Sequence, residues 1–119
     1  MCRNFNLTVY GTIFTHCFLH FSKYVNGNLQ VSVFGTDPKT KLRGHFLDIS
    51  LEQSTVKLEE DQIVVNTQYK PELVDQLETL GILKERIGMC AINFTLYPIY
   101  TVDIPMLSEY AYAESLLCA

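Results

Sequence analysis

Residues 91–104, "AINFTLYPIYTVDI", alternate almost perfectly. Ile92, Phe94, Leu96, Tyr100, Val102 and Ile104 take even positions, while Asn93, Thr95, Tyr97, Thr101 and Asp103 take odd ones. Side chains of a strand point to opposite faces in turn, so the pattern predicts one strand over 90–104 with its even face buried. Pro98 interrupts the run. Proline has no N–H to give a ladder, which predicts a sheet edge or a bulge at residue 98.

Before this strand lies "KPELVDQLETLGIL", residues 70–83. Pro71 suits the first helical position, and Glu72 and Asp75 suit the positive N-terminal end. Leu73, Val74, Leu77 and Leu80 make an apolar stripe, and Gly81 suits the position after the last turn. A helix of about ten residues is marginal alone, so it needs an apolar surface. The even face of the closing strand, with Ile92, Phe94 and Leu96, is the expected cover.

The rest of the sheet comes from the first 51 residues. Phe5, Leu7, Val9, Ile13, Cys17, Leu19 and Phe21 share odd parity, with a break expected near Gly11 or Thr15. Asn26-Gly27 predicts a type I′ hairpin turn. "LQVSVF" (29–34) is the next strand, and Asp37-Pro38 marks a turn. In "LRGHFLDISLE" (42–52) the apolar phase slips between Phe46 and Leu47, which predicts a β-bulge. Residues 53–62 read as a polar loop with a short strand at Val56–Leu58, followed by a strand at Ile63–Val65. A terminal helix is expected from Ser108. The expected fold is therefore α+β: one antiparallel sheet of four to five strands with one main amphipathic helix on one face. At 119 residues the chain reads as one domain, core 5–104 and tail 105–119.

Composition narrows the chemistry. Apolar residues make up 48%, charged residues 18%, and the net charge is −4. A Lys-poor, acidic chain is a poor binder of phosphate backbones, so no direct nucleic-acid partner is expected. Nor is a membrane partner, since no run approaches the ~18 apolar residues of a spanning helix. Cys2, Cys17, Cys90 and Cys118 contain no C-x-x-C pair, and the first residues carry no leader-like run. Reduced thiols in a cytoplasmic protein are the expectation. The sequons at Asn6 and Asn93 then read as polar strand positions.

"HCFLH" places His16, Cys17 and His20 together. On a strand the two histidines stand roughly 13 Å apart at ~3.3 Å per residue, and Cys17 points the other way. With His45 the set still lacks a carboxylate, so no metal is expected. Cys17 and Cys90 have inward parity, where thiols are inert. No nucleophile elbow, phosphate loop, zinc helix or calcium loop occurs, so neither catalysis nor a cofactor is expected.

Surface features point to protein contact instead. Glu59, Glu60 and Asp61, with Glu72, Asp75 and Glu78 on the helix, form either an acidic docking surface or an ordinary solvated face. The chain has seven Phe and seven Tyr. Parity puts Tyr10, Phe14, Phe18 and Phe34 on the outer face of the first strands and Tyr97 on that of the last. Such a patch is covered either by the tail, through Tyr110, Tyr112, Leu116 and Leu117, or by a partner protein or second copy.

Three stretches stand in order: "YVNGNLQVSVF" (Tyr24–Phe34), "PELVDQLETLG" (Pro71–Gly81) and "FTLYPIYTVD" (Phe94–Asp103). Together they resemble a family of small bacterial domains of unknown function, encoded on plasmids, conjugative elements and prophages. The resemblance covers residues ~5 to ~104 and carries no catalytic residues. It implies a mobile-element accessory factor that binds a host protein, of the anti-CRISPR or antirestriction type. The alternatives are a small-ligand or nucleotide-sequestering domain, with its pocket between helix and sheet, and a structural module.

Overall fold

A computed structural model describes residues 3–111, the side chains of Phe46, Tyr69, Lys70 and Pro71 excepted. The strands are β1 (Phe5–Val9), β2 (Thr12–Lys23), β3 (Leu29–Thr36), β4 (Arg43–Asp48), β5 (Gln62–Val64), β6 (Leu83–Ile92) and β7 (Thr95–Val102). The helices are α1 (Lys70–Thr79), preceded by a 3-10 turn, and α2 (Ile104–Glu109). The fold is sheet-rich α+β, but the expected single sheet is two antiparallel sheets. One has the order β1-β2-β3-β4 and the other β5-β7-β6.

The stretch 91–104 contains a chain reversal. Asn93 and Phe94 both have positive φ, 50° and 67°, and Ile92 pairs with Thr95 across them. This is a two-residue I′ hairpin turn, so β6 and β7 are neighbours. A two-residue turn inverts parity: even residues of β6 share a face with odd residues of β7. Ile92 and Leu96 therefore lie on opposite faces. Phe94 and Leu96 are in solvent, at 106% and 63% exposure, whereas Tyr100 and Val102 are buried. Only the far end of the strand reaches the core.

Pro98 sits in the central strand β7, between β5 and β6, not at an edge or bulge. Its missing N–H is on the β5 side, where its carbonyl accepts from Val65 N–H at 2.9 Å. The reciprocal bond would be the last of that ladder, just where β5 ends, so the loss is small.

The N-terminal sheet has four strands because the chain turns at Tyr10-Gly11 (φ 50° and 78°). A second irregularity follows at His16, whose φ is 53°. There β2 holds one extra residue between its Thr15–Thr36 and Phe18–Phe34 pairs. One extra residue flips the faces. Ile13, expected inward, is exposed, and Phe14, expected on the outer face, packs against the core. The β2–β3 loop also departs from expectation: Tyr24 C=O accepts from Gly27 N–H, and Asn28 C=O accepts from Tyr24 N–H. Only Gly27 takes positive φ there, so this is a three-residue loop with a glycine bulge. The predicted bulge at Phe46 is present, between the Phe34–His45 and Val33–Leu47 pairs.

The two sheets and both helices share one core, including Leu7, Leu19, Val31, Val33, Ile63, Leu73, Leu77, Tyr100, Val102 and Leu107. At the end of α1, Gly81 (φ 82°) donates to Glu78 C=O and Ile82 donates to Leu77 C=O. This Schellman closure turns the chain directly into β6 and buries Ile82. The expected strand at Val56–Leu58 is a loop. Val56 and Leu58 instead cover a second cluster, Val64, Cys90 and Ile99, on the opposite face of the smaller sheet.

α2 lies ahead of the helix expected from Ser108: it starts at Ile104, where the Asp103 carboxylate accepts from Met106 N–H at 3.1 Å, and ends at Glu109, while most of the expected segment, 112–119, lies outside the described residues. Tyr110 then packs edge-on against Phe5 inside the core, 5.2 Å between ring centres. Among the described residues no helix is long and apolar enough to cross a membrane.

Candidate protein-binding surface

The bulge at His16 aims Phe18 outward, beside Phe34 of β3. Their rings stack at 5.4 Å and 15°. Arg43 of β4 lays its guanidinium over Phe18, 4.8 Å from the ring centre, and Phe18 is left only 7% exposed. Half-buried Phe34 is flanked by His20 at 6.0 Å and His45 at 5.4 Å. Neither Phe18 nor Phe34 belongs to a core cluster. Ring pairs of this kind add about 0.5–1.5 kcal/mol beyond area burial, and exposed cation–π contacts about 0.5–1.

The second bulge, at Phe46, completes the surface. In a regular strand His45 and Asp48 would face opposite ways. The extra residue puts both on the outer side, so His45 Nε2 meets Asp48 Oδ1 at 2.9 Å. The same oxygen accepts from Ser32 Oγ at 2.6 Å. Phe18, His20, Ser32, Phe34, Arg43, His45 and Asp48 thus form one connected patch across three strands. An open cleft of about 270 Å³ lies at its end, lined by Phe14, Asp37, Leu42, Arg43 and His45 among others.

Of the aromatic residues expected on this face, the structure brings together Phe18 and Phe34. Phe14 turns to the core. Tyr10 is at the β1–β2 turn, where its hydroxyl donates to Gln68 C=O at 2.7 Å. Tyr97 covers the second cluster of the other sheet. Tyr110 is in the core, so it does not cover the patch, while Tyr112, Leu116 and Leu117 lie outside the described residues. Glu59 and Glu60 are exposed on the turn before β5, and Asp61 is half-buried with its C=O accepting from Val102 N–H. The histidines and Arg43 were missed as members of the patch. His20 shares even parity with Phe18, and Asp48 lies between inward Leu47 and Ile49, so both were legible; Arg43 and His45 needed the bulge to be placed. No protein-family model matches this chain, and no curated protein or solved structure matches it either.

Other chemistry is muted. His16 is exposed on its bulge while Cys17 is buried behind it, so "HCFLH" is split between faces. Burial pushes the Cys17 thiol up to about 12, only partly offset by a backbone hydrogen bond from Leu7. Burial also raises Cys90. Neither is a thiolate at neutral pH. Among the described residues no group of three metal-ligating side chains occurs. The helix–sheet interface is filled by Leu73 and Leu77. Beside it lies an open cleft of about 270 Å³, lined by Asn6, Asp75, Gln76, Thr79 and Leu80. That is below the roughly 300–1,000 Å³ of ligand pockets.

Proposed function

We propose that the chain is a non-enzymatic protein-binding module, an accessory factor of a bacterial mobile element that engages a host protein, with the outer face of β2, β3 and β4 as its contact surface. In this reading α1 is the main amphipathic helix that covers the inner side and leaves the outer side to a partner. One observation carries it: Phe34 is held between Phe18, His20 and His45, with the Arg43 guanidinium over Phe18, outside either core. Aromatic, Arg and His groups fixed in place before binding are the composition of interface hot spots, because little side-chain entropy remains to be lost. The motif resemblance supplies the genomic setting, and the inert thiols accord with a binding role.

The test is affinity capture from bacterial lysate with the wild-type chain beside Phe34→Ala and Arg43→Glu. A protein retained by the wild type and lost by both variants, with their thermal midpoints near wild type, supports the reading. Identical recovery by all three, or nothing above background, counts against it.

A further inference from the structure

The outer strands of the two sheets are not protected equally. Unpaired edges recruit foreign strands unless they are covered, charged or kept short. On β1, Thr8 is bonded by the Gln76 amide and Tyr10 N–H by the Glu72 carboxylate, so α1 closes that edge. On β4, the six-residue strand carries Arg43, His45, Asp48 and a bulge. On β5, Leu51 N–H donates to Val64 C=O, and Ser50 bridges Val65.

The remaining edge, β6, is divided. Its first half carries Lys84, Glu85 and Arg86 and two register shifts. Its second half, Ile87–Ile92, has no charge. The I′ turn makes Ile92–Thr95 and Cys90–Tyr97 exchange hydrogen bonds with β7. Met89 and Ala91 therefore direct their N–H and C=O groups away from β7; among the described residues no backbone group pairs with them, and the Ala91 C=O has only a long contact from Cys90 Sγ at 4.0 Å. Ile87 and Met89 beside them are 46% and 45% exposed, and Leu96 and Phe94 extend the apolar strip to the hairpin tip.

We propose that this edge pairs with the same edge of a second copy, antiparallel about a two-fold axis, joining two three-stranded sheets into one continuous sheet. With the axis at Cys90, Met89 lies opposite Ala91 of the second copy and the reverse, which satisfies every outward N–H and C=O group of both residues. The charge pattern selects this occupant. In that register Lys84, Glu85 and Arg86 fall beside the uncharged turn of the other copy at Asn93-Phe94, so no like charges meet and Arg86 comes to the Phe94 ring. The edge is short. The outward uncharged ladder is confined to Ile87–Ile92, so association is weak: the dimer forms at micromolar concentrations and dissociates on dilution. It lies on the other sheet from Phe34 and leaves that surface free on each copy.

Sedimentation of the full chain from about 1 to 500 μM tests this. The expected mass rises from the 13.6 kDa of one chain towards twice that value. Met89→Lys sets a charge against the edge, and Ala91→Pro removes an outward N–H, with thermal midpoints of both variants checked beside wild type. Each weakens association at least tenfold, and Phe34→Ala leaves it unchanged. Amide exchange at Met89 and Ala91 slows as concentration rises. A chain that stays monomeric at 500 μM, or a dimer that survives both edge substitutions, overturns the proposal; monomer with exchange at Met89 slowed only by an added partner peptide assigns the edge to a foreign strand instead.

Discussion

Gln76 of α1 stands in for a fifth strand beside Thr8 of β1. Its Oε1 accepts from Thr8 N–H at 2.7 Å and its Nε2 donates to Thr8 C=O at 2.9 Å, the two bonds a ladder partner would make. The amide also donates to Glu72 C=O one turn back, which fixes its orientation. Net contributions of about 0.5–1.5 kcal/mol per hydrogen bond apply to both bonds. Gln76→Leu keeps the bulk but leaves the Thr8 groups unpaired, and is expected to cost about 1–3 kcal/mol in urea unfolding. Gln76→Glu keeps an acceptor and loses the donor, and should be destabilised as well. Full stability in both variants would show that water replaces the amide without loss.

Phe94 occupies a left-handed position with its side chain wholly in solvent. A side chain there costs roughly 1–2 kcal/mol, and no described residue covers the ring to offset it. Phe94→Gly is expected to raise monomer stability by about 0.5–1 kcal/mol at low micromolar concentration, measured by thermal or urea unfolding. A loss of stability would mean that the Phe94 ring contributes within the monomer.

At Gly81, φ is 82°, and a Cβ would lie 3.4 Å from Met106 Cε of α2. The flexible methionine tip can yield, but the backbone angle is strained for an L side chain. Gly81→Ala should cost about 1–2 kcal/mol. Leu77→Ala, one turn earlier in the filled core, should cost about 2–5 kcal/mol. Chemical unfolding of the two variants side by side separates strain from cavity formation.

The buried Cys17 thiol gives stability a pH dependence with a definite sign. Its value rises from an ordinary 9.0 to about 12 on folding. Below pH 9 both states keep the proton and stability is complete. Above pH 9 the unfolded chain loses it while the folded one does not, so stability falls as pH rises from 9 towards 12. Tyr24 and Tyr100, also raised by burial, add to the same fall from 10 upward. Cys17→Ala is expected to flatten the profile between pH 9 and 10.5. Native Cys17 should resist iodoacetamide at pH 8.5 and react at once in 8 M urea; equal rates would show that the thiol is open.

The alternation of Leu7, Leu19, Val31 and Val33, the stripe of Leu73 and Leu77, the glycine after α1 and the bulge at Phe46 could all be read along the chain. Each depends on neighbours within a few residues. Gln76 gave no such signal, because its partner Thr8 is distant in sequence and joins it only when α1 docks on the β1 edge. Arg43 and His45 share the odd parity of buried Leu47, so their outward face follows only once the bulge at Phe46 is counted.

By itself the sequence determined that strands would dominate and that their side chains would alternate between two faces, since period-two alternation is a local property of the chain. Tertiary structure alone decided that the chain reverses within 91–104 and which side of each strand is inside. A two-residue turn at Asn93-Phe94 and one added residue at His16 each invert the faces while leaving the alternation of letters almost unchanged, and only long-range pairing fixes that sign.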